Sequence, residues 1–183
     1  MKPMFWTFLA VLSAIAVAQP ADKPVSKQAE IARALSAAPV AIRAGAAVIS
    51  MDEKGHETQL RSGSNGWTCL PHDPATPLGH PVCVDQSGWA WFQAAMTGHE
   101  PDPDKVGYSY MLQGGSTWSN TDVTATKLPP GRKAFIRLPP HVMVMNAKTA
   151  NSSGFPSGED PDTHKPFVMY GGTPYAILII PLE

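Results

Sequence analysis

Charge is scarce in this chain. Asp, Glu, Lys and Arg make up 16% of its 183 residues, and the longest basic run is Arg132-Lys133. A nucleic-acid partner is held by a basic stripe that displaces counterions, so that class of partner is excluded. Familiar catalytic signatures are also missing. No G-x-S-x-G elbow, no H-E-x-x-H and no phosphate-binding G-x-x-x-x-G-K-[ST] occurs. Beyond residue 18 no apolar run approaches the roughly 20 residues of a membrane span. The longest, 175–182, suits a buried strand. Cysteine is limited to Cys69 and Cys83.

What is present begins at the N-terminus. Lys2 is followed by an apolar run, 4–18, interrupted only by Thr7 and Ser13. Ala16-Val17-Ala18 then offers a small-x-small cleavage site before Gln19. This is the pattern of a secretory signal peptide, and the run of about 15 residues is short for an uncleaved anchor. The expectation is a signal peptide over 1–18 and a single exported domain over 19–183, periplasmic or secreted, with no integral membrane segment after cleavage. Lys2 is the one charged residue removed, so 13 Lys and Arg remain against 15 Asp and Glu, a net charge of −2.

An even cysteine count in an exported protein reads as a disulfide. Cys69–Cys83 would close a loop containing Pro71, Pro74, Pro77, Gly79 and Pro81, which cannot form a regular helix or strand. A redox pair would sit as C-x-x-C, and these two do not. The bridge is expected to be structural.

Helical spacing and a Ser26 cap predict a first helix over 26–37, ended by Pro39. A hairpin follows, with strands at 46–51 and 57–60 about a turn at 52–55. Asn65-Gly66 turns the chain into a strand at 67–70. A second helix opens at Asp85 or Ser87 and runs to about Met96, burying Trp89, Trp91 and Phe92. Further strands are expected at 106–112, 134–138, 142–145, 167–170 and 175–180, the last central and covered on both faces. The stretches 114–127 and 146–165 read as loops. Two helices among about eight strands give one α+β domain with a mainly antiparallel sheet.

The segments Asn65-Gly-Trp-Thr-Cys69, Tyr110-Met-Leu-Gln-Gly-Gly115 with Ser119-Asn-Thr-Asp122, Pro139-Pro-His-Val-Met143 and Gly171-Gly-Thr-Pro-Tyr175 sample most of the chain beyond the signal peptide. In them the chain resembles a family of small exported bacterial proteins without an assigned activity. That resemblance implies export and supplies no catalytic residues.

Two constellations carry chemistry. In His141-Val-Met143-Val-Met145 the strand alternation puts His141, Met143 and Met145 on one face. Imidazole and thioethers suit Cu(I). Met111, Met169 and His72 are further ligands if their strands are neighbours. The competing reading is a core face that carries Met as filler. The second constellation is the loop 114–124. Gly114 and Gly115 admit close backbone approach, and Ser116, Ser119, Asn120 and Asp122 offer oxygens to a small polar ligand. The competing reading is a turn that satisfies its own side chains. A triad of Ser116, His141 and Asp122 can be drawn, as can a zinc pair of His72 and His80 with Asp73 or Asp85.

The expectation is a monomeric, non-enzymatic binding domain for a small ligand or a partner protein. The alternatives are a small extracytoplasmic hydrolase and a periplasmic copper-binding protein using His141, Met143 and Met145. No cofactor is specified by the sequence.

Overall fold

The computed structural model describes residues 25–52, 54–73 and 76–182. The expected signal peptide lies outside them. The described residues form four helices and ten strands. The sheet is mostly antiparallel, but the helix count corrects the expected two.

In chain order the elements begin with α1 (Lys27–Leu35), α2 (Val40–Arg43), β1 (Ala47–Met51), β2 (Glu57–Arg61), β3 (Trp67–Leu70) and β4 (Val82–Asp85). Then come α3 (Gln86–Thr97), β5 (Gly107–Met111), β6 (Gly115–Thr117), β7 (Ile136–Leu138) and β8 (His141–Met145). The last are α4 (Ala147–Ser152), β9 (Phe167–Met169) and β10 (Ile177–Pro181).

Eight strands make one sheet in the order β2-β1-β3-β4-β5-β8-β10-β9, and β6 pairs with β7 in a small second sheet. Every neighbouring pair is antiparallel except β1 and β3. The predicted hairpin is β1–β2, with a register shift between Val48 and Ile49. The parallel β1–β3 pair is one that local turn chemistry does not announce. Cys69 and Cys83 sit directly opposite each other in β3 and β4 and are bonded. The bridge therefore closes the base of the proline-rich loop.

The sheet is covered on both faces. One face carries Ile49, Leu70, Val82, Val84, Met143, Met145, Ile177 and Ile179 in a single cluster with Trp91 of α3 and Leu138 of β7. On the other face, Val48, Cys69 and Cys83 pack with Ala34, Ala37 and Ala38 at and after the end of α1. Val168, Leu178 and Ala176 meet Ala150 of α4 on that same side. Alternation along β10 feeds both clusters, so it is covered on both sides as expected. Its position differs from the expectation: β10 lies one strand from the edge, because β9 returns outside it.

Four elements lie where the sequence reads otherwise, and one of them, β4, begins inside the disulfide loop and is made a strand by pairing with β3 and β5. α2 is one turn begun after Pro39, which stands at its N-cap. α4 is six residues long, too short for a periodic pattern, and is started by Asn146, whose side chain accepts from Thr149 N at 2.8 Å. β6 is Gly-Ser-Thr, poor in strand propensity, and exists through its register with β7, Gly115 against Leu138.

α3 is tied to the sheet at its start. Asp85 Oδ1 accepts from Gly88 N at 2.7 Å and from Tyr108 N at 3.0 Å. Gly88 and Gly107 then meet backbone to backbone, since a Cβ on Gly107 would lie 2.4 Å from Gly88 N. That close approach lowers the aromatic face of α3 onto β5 and β8. Gly98, at φ 73°, ends the helix in the left-handed conformation.

Candidate functional site

Between α3 and the sheet lies a cavity of about 130 Å³. Its floor is the strand face: Met111 of β5, His141 and Met143 of β8, Met169 of β9 and Ile177 of β10. Its roof is Trp91, Phe92, Ala95 and Met96 of α3. Ser116, Thr117 and Leu138 of the small sheet close one end. Asp73 and Thr76 come from the disulfide loop, and Val123, Ala125 and Tyr170 complete the wall. Met96, the exposed member of this set on α3, marks the mouth.

The loop wall is held from two sides. Arg33 of α1 donates through Nε to Pro71 O at 2.7 Å and through Nη2 to Gly79 O at 3.1 Å. Leu78 N donates to Ser116 Oγ at 3.2 Å. The disulfide loop is therefore docked against β6, with buried Asp73 facing the cavity.

His141 is fully buried at the floor. Its Nδ1 donates to the carbonyl of Pro139 at 2.7 Å. A carbonyl only accepts, so the proton sits on Nδ1 and Nε2 keeps its lone pair. Among the described residues Nε2 has no hydrogen-bond partner. Burial pushes the imidazole below the usual histidine range, outweighing the bond to Pro139. Trp91, in the roof, also keeps a buried Nε1–H without a partner among the described residues. Trp91 is fixed by edge contacts to Phe92 and Tyr175, with ring centroids at 5.6 and 6.4 Å.

Gly115 makes room for the imidazole. A Cβ there would lie 2.9 Å from His141 Cε1 and 3.5 Å from Met111 Cε. The histidine ring and the Met111 methyl thus meet over a position that lacks a side chain. Tyr170 takes a left-handed backbone, φ 57°, which costs a non-glycine residue about 1–2 kcal/mol. Its backbone N is held by Asn120 O at 2.7 Å. The phenol is hydrogen-bonded to Thr117, and burial pushes it up to about 12.

The structure distributes the sequence candidates unevenly. His141 and Met143 line the cavity together with Met111 and Met169. Met145 shares their strand face but packs farther along, where its Sδ lies 3.4 Å from a Cβ built on Gly88. Ser116 belongs to the cavity wall, Gly115 lies against His141 and Met111 without lining the cavity, and Gly114, at φ 75°, forms the turn before them. Ser119, Asn120 and Asp122 face elsewhere. Ser119 Oγ and Thr121 Oγ1 donate to Glu159, which Arg132 also meets at 3.4 Å. Asn120 Nδ2 donates to Gly158 O at 2.7 Å and to Val168 O at 3.1 Å. Asp122 Oδ1 accepts from both N and Oγ1 of Thr124. Ser119 and Asp122 border an open groove, Asn120 is fully buried, and all three serve chiefly to fold their own loop.

A catalytic triad does not assemble. Asp122 is exposed and engaged in its own turn, and Nε2 of His141 bonds no hydroxyl. Asp85 caps α3, and the ring of exposed His72 lies against Gly79. Among the described residues no group of three His, Cys, Asp or Glu is placed to hold a metal ion. Also among them, no helix is long and apolar enough to cross a membrane. Comparison of the chain with protein-family models, with curated proteins and with solved structures finds no match.

Trp91, Asp73 and Tyr170 are cavity residues that sequence reasoning missed as such. Trp91 reads as core from its helical setting. The sequence marks Asp73 only as a neighbour of His72 and His80, and nothing local marks Tyr170; the folded loop and turn bring both to the cavity.

Proposed function

We propose that the chain is an exported, non-enzymatic binding domain whose ligand occupies the cavity between α3 and the sheet. Export rests on the signal-peptide pattern, the Cys69–Cys83 bridge and the resemblance to small exported bacterial proteins. The observation that carries the binding reading is the pair of unpartnered buried atoms beside one apolar cavity, the Nε2 acceptor of His141 and the Nε1–H donor of Trp91. A buried polar atom without a partner costs about 1–3 kcal/mol. A guest that satisfies either atom recovers that cost, and the strained Tyr170 supports a wall shaped for a purpose beyond packing.

Hydrolysis is the weaker reading. Ser116 and His141 share the cavity, but the imidazole contacts no nucleophile and Ser116 Oγ already accepts from Leu78.

The size suits a guest of one ring or less, since an apolar cavity of roughly 150 Å³ takes benzene. Phenol is a suitable probe, with an apolar body, a donor for His141 and lone pairs for Trp91. In ¹H–¹⁵N spectra of the mature, oxidised protein, phenol should shift the Trp91 indole resonance saturably. Ala95→Trp, which fills the mouth, should abolish that shift, and Ser119→Ala, in the separate groove, should leave it. Absence of a saturable shift, or a shift indifferent to Ala95→Trp, would remove the cavity as a site.

A further inference from the structure

The donor set on the cavity floor is unusual in its chemistry. His141 and Met111 are directly opposed in the β8–β5 register, and Met143 is two residues along β8 on the same face. Directly opposed side chains start about 4.5–5.5 Å apart at Cβ. Imidazole and two thioethers therefore form a triangle of neighbours, all three buried. Met169, from β9, lines the same cavity.

From this geometry we infer that the natural guest is a monovalent soft metal ion, Cu(I), held by His141 Nε2 and the thioethers of Met111 and Met143. The inference rests on the cavity reading above and names its ligand class.

Four features support that choice. The Nδ1–H of His141 is anchored to a backbone carbonyl, the arrangement that orients a metal-binding imidazole and leaves Nε2 as ligand. Thioethers are soft donors and select Cu(I) over hard divalent ions, for which the described residues offer no cluster. The three donors are neutral and buried, so a singly charged ion is accommodated among them at lower cost than a doubly charged one. The cysteines are committed to their disulfide, so thiolate is not available to compete.

The same geometry makes a discrimination that the sequence does not. Met145 alternates onto the same strand face, yet it packs against Gly88 and is absent from the cavity lining. It is not a ligand.

The test is anaerobic titration of the mature, oxidised protein with Cu(I) against a chromophoric Cu(I) chelator. Binding at one equivalent is expected. Met111→Leu and Met143→Leu should each weaken it by at least roughly 10-fold, the loss that even an outer-shell partner causes. Met145→Leu should leave the affinity unchanged, and all three variants should fold because Leu nearly preserves the volume. X-ray absorption of the loaded protein should show sulfur and nitrogen scatterers together. Failure to compete with the chelator, or binding indifferent to both Met111→Leu and Met143→Leu, overturns the inference. The phenol experiment separates the two levels. If phenol enters and Cu(I) does not bind, the metal assignment fails and the cavity reading survives. If neither binds, both fail.

Discussion

Gly107→Ala is the sharpest test of how this fold builds its cavity. A Cβ at residue 107 would stand 2.4 Å from Gly88 N, 2.5 Å from Gly88 Cα and 2.9 Å from Ser87 C. All three are backbone atoms in the first turn of α3, so no side chain can swing aside. Carbon atoms rest at about 3.5–4.0 Å, so the helix start must retreat by roughly 1 Å. Overpacking of that kind costs about 1–3 kcal/mol, occasionally more. The retreat also stretches the bonds from Gly88 N and Tyr108 N to Asp85, each worth about 1 kcal/mol net. The combined loss should be about 2–4 kcal/mol. Gly→Ala also restricts the unfolded chain, a gain of about 0.4–1 kcal/mol. Gly158→Ala isolates that gain, because a Cβ there meets nothing within 4 Å and its φ is not in the left-handed region. In urea, with m near 2 kcal/mol/M, Gly107→Ala should lower the midpoint by about 1–2 M relative to Gly158→Ala, with m unchanged. Amide exchange in α3 should accelerate as well. Coincident midpoints for the two variants would mean that the Gly88–Gly107 contact does not set the position of α3.

Three further outcomes follow from the same structure. Replacing Cys69 and Cys83 together by Ala should lower stability by about 2–4 kcal/mol in urea, as expected for a closed loop of about 15 residues; a change under ~0.5 kcal/mol would show that the bridge adds nothing. Asp85→Ala removes the cap of α3 and its tie to Tyr108, and should cost about 1–2 kcal/mol by thermal unfolding, whereas Asp85→Asn should recover much of that. Burial holds the His80 imidazole below its ordinary range, so the unfolded chain takes the proton first as pH falls. Stability should therefore be full above about pH 6.5 and decline below it until the folded state protonates, and His80→Gln should reduce the slope of melting temperature against pH in that window.

Much of the architecture was open to reading from local chemistry. Ser26 and Asp85 act as N-caps through their side chains, bonding Ala29 N and Gly88 N. The β1–β2 hairpin follows from Asp52, whose carboxylate accepts from Lys54 N and His56 N and so folds its own turn. The pairing of Cys69 with Cys83 follows from a cysteine count of two. The same-face relation of His141, Met143 and Met145 follows from alternation, which is a property of any strand.

What the sequence by itself determined is therefore an α+β fold with a mainly antiparallel sheet, a stapled loop and a strand rich in imidazole and thioether. Those features are local, set by caps, turns and a period of two along the chain. The tertiary structure decided which of them meet. Strand order places Met111 beside His141, because β5 and β8 pair across 29 intervening residues. It gives Met145 to the underside of α3, because Gly88 and Gly107 let the helix come down there. It makes β6 from a Gly-Ser-Thr stretch with little propensity of its own, because β7 supplies the ladder. It sets Asp73 and Tyr170 at the cavity from a loop and a turn that carry no periodic signal. Contacts between distant segments depend on which loops close and which surfaces pack, and no window along the chain contains that information.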